Sequence, residues 1–174
     1  LMYKSRKLDE KQLILLKQGK GFFHIGASGH EAVQVAASKC FKSEKDYSYP
    51  YYRNQAYCLG LGMTSREILL SFLAKDSDPN SGGRQMPQHF GHKKLNIVSQ
   101  SSPTGTQYLQ ATGAAFALDR NNENGIVYVS SGEGTTSQGD FHEALNWSSR
   151  VKAPVIFHIE NNGYAISVPI DEQT

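Results

Sequence analysis

Two short apolar runs, Ile126-Val127-Tyr128-Val129 and Val155-Ile156-Phe157-His158-Ile159, each lead into a polar turn. The first reaches Gly132-Glu133-Gly134; the second reaches Glu160-Asn161-Asn162-Gly163-Tyr164. Between them lies room for one helix, through Thr135-Thr136-Ser137-Gln138-Gly139-Asp140-Phe141-His142-Glu143-Ala144-Leu145-Asn146. A strand–turn–helix–strand unit puts neighbouring strands parallel, because antiparallel neighbours need no such crossover. Both turns then leave the carboxyl edge of the sheet, where open α/β sheets bind ligands. The expected fold class is therefore α/β, a parallel sheet flanked by helices, with both apolar runs read as buried strands.

The residue types at those turns favour a particular chemistry. Glycines at 132 and 134 let backbone approach a phosphate closely, and a helix that follows aims its N-terminal amides at the anion. Magnesium takes about six oxygens, usually one or two from protein and the rest from substrate phosphate and water. Glu133 offers a carboxylate oxygen and Asn162, about thirty residues later, an amide oxygen; the Tyr164 carbonyl is a third candidate. Taken singly, a Gly-rich turn and an Asn-Asn-Gly turn are ordinary structure. It is the two together at this spacing that mark a cofactor site.

The segment Gly132 to Asn162 resembles the thiamine-diphosphate motif, which begins Gly-Asp-Gly or Gly-Glu-Gly and ends Asn-Asn about thirty residues on. More narrowly, the chain resembles the alpha subunit of the decarboxylating component of 2-oxoacid dehydrogenase complexes. Gly82-Gly83-Arg84-Gln85-Met86-Pro87-Gln88-His89-Phe90-Gly91, then Lys93-Lys94-Leu95-Asn96, is most similar to the branched-chain (2-oxoisovalerate) members. So are Ser101-Ser102-Pro103 with Thr106-Gln107, and Asn161-Asn162-Gly163-Tyr164-Ala165-Ile166-Ser167. The resemblance implies the thiamine-diphosphate-binding fold, incomplete here, with thiamine diphosphate and Mg2+ as cofactors. It implies cofactor contacts at Tyr52, Arg53, Ser102, Gly132, Glu133, Gly134, Thr135 and Asn162, and magnesium ligands at Glu133, Asn162 and Tyr164. In branched-chain members a potassium site stiffens the cofactor loop, which implies K+ ligands from the Ser101 and Pro103 carbonyls and the Thr106 and Gln107 side chains. One departure stands out: where mammalian branched-chain relatives carry a basic residue before Asn-Asn, this chain has Glu160.

The implied reaction is oxidative decarboxylation of a 2-oxoacid, with acyl transfer to the lipoyl group of a partner acyltransferase. The implied partners are a beta subunit or fused beta half, in an assembly of two alpha and two beta units, so this chain alone is expected to be inactive. No catalytic residue is assigned; His89 is the candidate, and a functional histidine loop is expected beyond Thr174. The alternatives for the acyl group are pyruvate and acetoin.

Residue-by-residue readings without the resemblance are plainer. Tyr52-Arg53 suits a diphosphate, since arginine grips it bidentately, or else a surface arginine stacked on aromatic rings. Ser101 to Gln107 is also an adequate helix cap. Arg84, His89, His92, Lys93 and Lys94 form a basic run that is ordinarily a solvated surface. His24, His142 and His158 read as structural. A dinucleotide-binding dehydrogenase is a rival, since Gly132-x-Gly134 follows a strand and Glu160 ends the next; Ser137 stands where its third glycine belongs. A non-catalytic assembly fragment is the other.

A chain of 174 residues can build one sizeable core. A single domain over 1–174 is expected, the N-terminal part of the diphosphate-binding alpha-subunit module. Net charge of +2 sets up no strong field toward nucleic acid. Cys40 and Cys58 make no metal or redox spacing and suggest a reducing compartment, cytoplasmic in a bacterium or the mitochondrial matrix in a eukaryote. No apolar run approaches the ~18 residues of a membrane span, and the charged first turns are unlike a signal peptide. The start at Leu1 and the stop soon after the motif suggest a piece of a longer subunit.

Along the chain, residues 1–19 predict a helix with Leu8, Leu13, Leu15 and Leu16 among lysines, ended by Gly19 and Gly21. Glu31 to Phe41 predicts a helix with Ala32, Val35 and Ala36 inward. Asp46 to Arg53 predicts a short strand and a loop. Thr64 with Glu67 predicts a capping box. Residues 75–94 predict a long loop. Pro103 or Thr104 opens a helix through Leu118, with Ala111, Ala114, Ala115 and Leu118 on one face.

Overall fold

A computed structural model describes residues Leu1–Gln173. The chain forms two compact units, one from Leu1–Glu44 with Pro50–Ser99, the other from Lys45–Tyr49 with the chain from Gln100 onward. It is α/β, with a parallel sheet.

The first unit is helical: α1 (Met2–Lys17), α2 (Glu31–Ser38), α3 (Gln55–Leu61) and α4 (Ser65–Phe72). Gly19 at φ 67° closes the end of α1, as its sequence predicts. The inward face of α1 is more polar than expected: Ser5, Leu8, Asp9 and Gln12 are buried, while Leu13 is 41% exposed. In α2 the buried positions are Glu31, Gln34 and Ser38; of the three expected inward, Ala32 and Ala36 are exposed and Val35 is half-buried. Hydrogen bonds explain the difference. Gln34 donates through Nε2 to the Arg53 carbonyl (3.1 Å) and accepts the Ala56 N–H at Oε1 (3.1 Å). It thus caps α3, whose own N-cap Asn54 makes no side-chain cap, and an amide inward satisfies backbone groups no alanine can reach. α2 also stops at Ser38 rather than Phe41, where Lys39 and Cys40 close back on Ala36 and Ala37.

The capping box of α4 forms in full: Thr64 Oγ1 accepts the Glu67 N–H (3.2 Å) and Glu67 Oε2 accepts the Thr64 N–H (2.7 Å). Burial raises the Glu67 carboxyl, but the bonds from Thr64 and His92 outweigh it and hold it below the ordinary range. From Ala74 to His92 no helix or strand forms, and a short 3-10 turn follows at Lys93–Leu95. This loop is shaped by side chains. Asp78 accepts from the backbone of Asn80, Ser81 and Gly83, and Asn80 Oδ1 accepts the Gly91 N–H.

In the second unit a three-stranded parallel sheet runs in the order β1 (Tyr47–Tyr49), β2 (Val127–Gly132), β3 (Val155–Glu160). β1 pairs with β2 from Tyr47↔Val127, and β2 with β3 from Val127↔Val155 to Gly132↔Glu160. α5 (Thr106–Arg120) and α6 (Gly139–Val151) pack together beside it. α5 begins two or three residues later than its sequence suggests because Gly105, the N-cap, sits at φ 95°, a conformation no helix continues. Ala111, Ala115 and Leu118 are buried as expected, with Ala114 half-buried. β2 is the buried strand. β3 is not, since Ile156 is 47% exposed; among the described residues it pairs on one edge only, which leaves its apolar run half covered. After β3 come β4 (Tyr164–Ala165) and β5 (Val168–Pro169), an antiparallel pair, and the single turn α7 (Ile170–Gln173). No helix among the described residues is long and apolar enough to cross a membrane.

Candidate metal and diphosphate site

The register Gly132↔Glu160 brings the two strand ends level, so the two polar turns leave the sheet side by side. Glu133 is 4% exposed. Its Oε2 accepts the backbone N–H of Asn162 at 3.2 Å. Its Oε1 is buried and has no hydrogen-bond partner among the described residues. A buried carboxylate oxygen without a donor is costly, and a bound cation is one group that would satisfy it. Asn162 is exposed, and its Oδ1 accepts the Tyr164 N–H at 3.0 Å, leaving the second lone-pair direction of that oxygen for another bond. Among the described residues no group of three His, Cys, Asp or Glu gathers to hold a metal. The available donors are one carboxylate and neutral oxygens, which suits a hard cation that draws further oxygens from a bound phosphate.

The turn that carries Glu133 is fastened from several directions. The Thr136 hydroxyl donates to the Glu133 carbonyl (2.7 Å), and the Gln138 N–H to the Thr135 carbonyl (3.1 Å). These bonds wind Glu133–Ser137 into a 3-10 turn, so α6 starts only at Gly139 and does not follow the glycines directly, as the sequence suggests. Gln173 Nε2 donates to the Gly134 carbonyl (3.0 Å), and the Ser137 hydroxyl donates to the Gln173 carbonyl (3.0 Å). Gly134 also lacks room for a side chain: a Cβ there would lie 2.7 Å from the Ala165 Cβ. The sequence gives no sign of either the Gln173 latch or the Ala165 contact, because Gln173 comes from α7 and Ala165 from β4, elements that follow the motif.

A second fastening comes from α5. Gln107 Nε2 donates to the Ser130 carbonyl (3.2 Å), the Tyr108 hydroxyl is bonded to the Ser131 hydroxyl, and Ser131 Oγ donates to the Gly132 carbonyl (2.8 Å). Tyr108 and Ser131 are fully buried and escaped sequence reasoning, where a helix tyrosine reads as core. Burial pushes the Tyr108 phenol up to about 12, with the Ser131 bond acting the other way. An unfolded tyrosine titrates near 10.0. Between those values the unfolded chain releases a proton that the folded chain keeps, so stability falls as pH rises. Tyr108→Phe is expected to flatten that part of the alkaline unfolding profile and to lose about 1 kcal/mol at neutral pH, as checked by urea unfolding at a series of pH values.

Of the residues named for potassium, the Pro103 carbonyl and Thr106 hydroxyl meet at 3.0 Å. The Gln107 side chain turns toward β2, as given above, and Ser101 is half-buried in the same turn. Ser102 is exposed, Gly132 and Gly134 flank Glu133, and Thr135 follows in the same turn. Glu160 is 2% exposed at the end of β3.

Tyr52, Arg53 and His89 belong to the first unit. Arg53 Nη1 donates to the Gly26 carbonyl at 2.6 Å, and its guanidinium lies 5.5 Å from the Tyr52 ring centre. His89 is 5% exposed, with Nδ1 3.4 Å from the Pro87 carbonyl, and His92 Nε2 lies 3.4 Å from Glu67 Oε1. The basic run is thus only partly solvated: Arg84, Lys93 and Lys94 are exposed, the two histidines are not. His24 pairs with Asp9 and His158 with the Tyr128 hydroxyl, both as packing residues, while His142 is exposed against Phe141.

An α/β chain whose level strand ends join one buried carboxylate to an Asn-Asn-Gly turn falls in a narrow class. The dehydrogenase E1 component family model matches residues 1–174, and the chain belongs to that family. It is 48% identical over 172 residues to the 2-oxoisovalerate dehydrogenase subunit alpha of Bacillus subtilis, covering 99% of this chain and 52% of that one. It is 38% identical over 157 residues to the mitochondrial 2-oxoisovalerate dehydrogenase subunit alpha 1 of Arabidopsis thaliana, covering 90% and 33%. It is 36% identical over 170 residues to the pyruvate dehydrogenase E1 component subunit alpha of Staphylococcus aureus (strain Mu50), covering 98% and 43%. The chain spans a third to a half of the length of these curated relatives.

Proposed function

We propose that this chain is the N-terminal part of the diphosphate-binding module of a 2-oxoacid dehydrogenase alpha subunit, with a branched-chain 2-oxoacid as substrate. The observation that carries the proposal is the buried Glu133 oxygen beside the Asn162 turn, which has no partner among the described residues. Thiamine diphosphate, when bound, supplies the carbanion stabilisation that decarboxylation of a 2-oxoacid needs. The chain's own residues do the holding. Glu133 and the Asn162 amide oxygen, with the Tyr164 carbonyl, are the proposed ligands of Mg2+, and Gly132, Gly134 and Thr135 give the backbone that approaches the diphosphate. Ser102 is a proposed cofactor contact, and Ser101, Pro103, Thr106 and Gln107 are proposed for K+. Tyr52 and Arg53 are proposed as diphosphate contacts on the family resemblance. His89 is proposed only as a candidate near the reacting centre.

The proposed partners are a beta subunit, or fused beta half, and a lipoyl-bearing acyltransferase that takes the acyl group. Preference for a branched-chain acid follows the names of the B. subtilis and A. thaliana relatives. The S. aureus relative makes pyruvate the second reading. The full-length complex, assayed on a panel of 2-oxoacids with an artificial electron acceptor, is expected to give its highest kcat/KM with branched-chain acids. A higher value with pyruvate would overturn the substrate assignment, and no turnover of any 2-oxoacid would overturn the activity.

A further inference from the structure

The loop His24–Gly29 belongs to no helix or strand, yet its backbone is held at Ile25, Gly26, Ala27 and Gly29, and side chains do the holding. Asp9 of α1, 8% exposed, is the main anchor. Its Oδ1 accepts the Ala27 N–H at 3.0 Å and lies 2.9 Å from His24 Nε2, and its Oδ2 accepts the Ser28 hydroxyl at 2.7 Å. Gln88 Oε1 accepts the Ile25 N–H at 3.0 Å, and Glu31 Oε2 accepts the Gly29 N–H at 2.9 Å. The Gly26 carbonyl of this loop takes Arg53 Nη1 at 2.6 Å. The Arg53 backbone is held independently by Gln34.

We propose that Asp9 is a positioning residue: by fixing the loop His24–Gly29 it places the Gly26 carbonyl that orients the Arg53 guanidinium for a diphosphate. The inference rests on the reading of Arg53 as a diphosphate contact. A guanidinium presents its donors in a rigid planar fork, so fixing one nitrogen fixes the direction of the others. A free arginine loses rotamer entropy when it grips an anion; one already clamped loses less and binds more tightly. Asp9 has a reach that no neutral side chain matches, since an ionised carboxylate accepts several bonds at once and these are stronger than neutral ones.

The test is a double-mutant cycle in the full-length assembled enzyme, read by calorimetric titration of thiamine diphosphate at saturating magnesium. Arg53→Ala is expected to weaken binding about a hundredfold and Asp9→Asn about tenfold. The double variant is expected to bind no worse than Arg53→Ala, because Asp9 acts through Arg53. Full additivity of the two effects, or unchanged affinity in Asp9→Asn while Arg53→Ala binds weakly, overturns the positioning role. Unchanged affinity in Arg53→Ala overturns the diphosphate reading of Arg53 itself. If Asp9→Asn does not assemble, Ser28→Ala and His24→Asn each remove one bond to Asp9 and carry the same cycle, with a smaller loss expected and additivity again overturning the proposal.

Discussion

Glu133→Gln is expected to abolish the stabilisation that thiamine diphosphate and magnesium give the full-length assembly, while leaving the unliganded protein at least as stable as its parent. The two halves of that result have one origin. Glu133 is buried with one oxygen on the Asn162 N–H and the other without a partner among the described residues. Glutamine keeps an acceptor for Asn162 and removes a buried carboxylate oxygen that has no donor among the described residues, which relieves the free protein. It cannot offer a cation the same carboxylate. A ligand at a hundred times its Kd stabilises by about 2.7 kcal/mol, and that whole increment should vanish in thermal unfolding with ligand present. A variant stabilised by cofactor and magnesium as strongly as the parent would remove Glu133 from the metal site.

Gly134→Ala is expected to cost about 1–3 kcal/mol in unfolding free energy and to weaken cofactor binding about tenfold or more. The new methyl would meet the Ala165 Cβ at 2.7 Å. Ala165 lies three residues beyond Asn162 on the same return, so relief of the clash moves the Asn162 turn relative to Glu133. The double variant Gly134→Ala/Ala165→Gly should recover much of both losses. Failure of that rescue, with the single variant impaired, would show that Gly134 is needed for backbone conformation or phosphate approach instead of for room against Ala165.

The match between sequence and structure is best where physics is local. Continuous apolar runs, the Thr64-x-x-Glu67 pattern and the glycine after α1 each act over a few residues, and the structure shows the strands, the capping box and the helix stop. It is poorer where a side chain is needed by a distant backbone. The buried face of α2 runs through Gln34 because α3 needs a cap, a demand invisible in the α2 sequence. The start of α5 shifted because Gly105 adopts a positive φ that composition alone does not require. The run of β3 is apolar enough for burial, but burial depends on what pairs with its outer edge.

At the candidate site the division is similar. The residue types Glu133 and Asn162 and their spacing were legible, since strand, turn and helix lengths set the separation before any tertiary contact. Tyr108, Ser131, Ala165 and Gln173 were not, because nothing in a helix tyrosine or a lone glutamine says which carbonyl or hydroxyl it will meet.

By itself the sequence determined the α/β class, the parallel pairing of two strands and the pair of polar turns that follow them, because hydrophobic period and turn chemistry are properties of neighbouring residues. Only the tertiary structure decided that the Glu133 carboxylate would meet the Asn162 backbone, its other oxygen finding no partner among the described residues, and that Asp9 would shape the loop gripping Arg53. Such bonds join residues far apart in the chain, and their geometry exists only once the elements between them have packed.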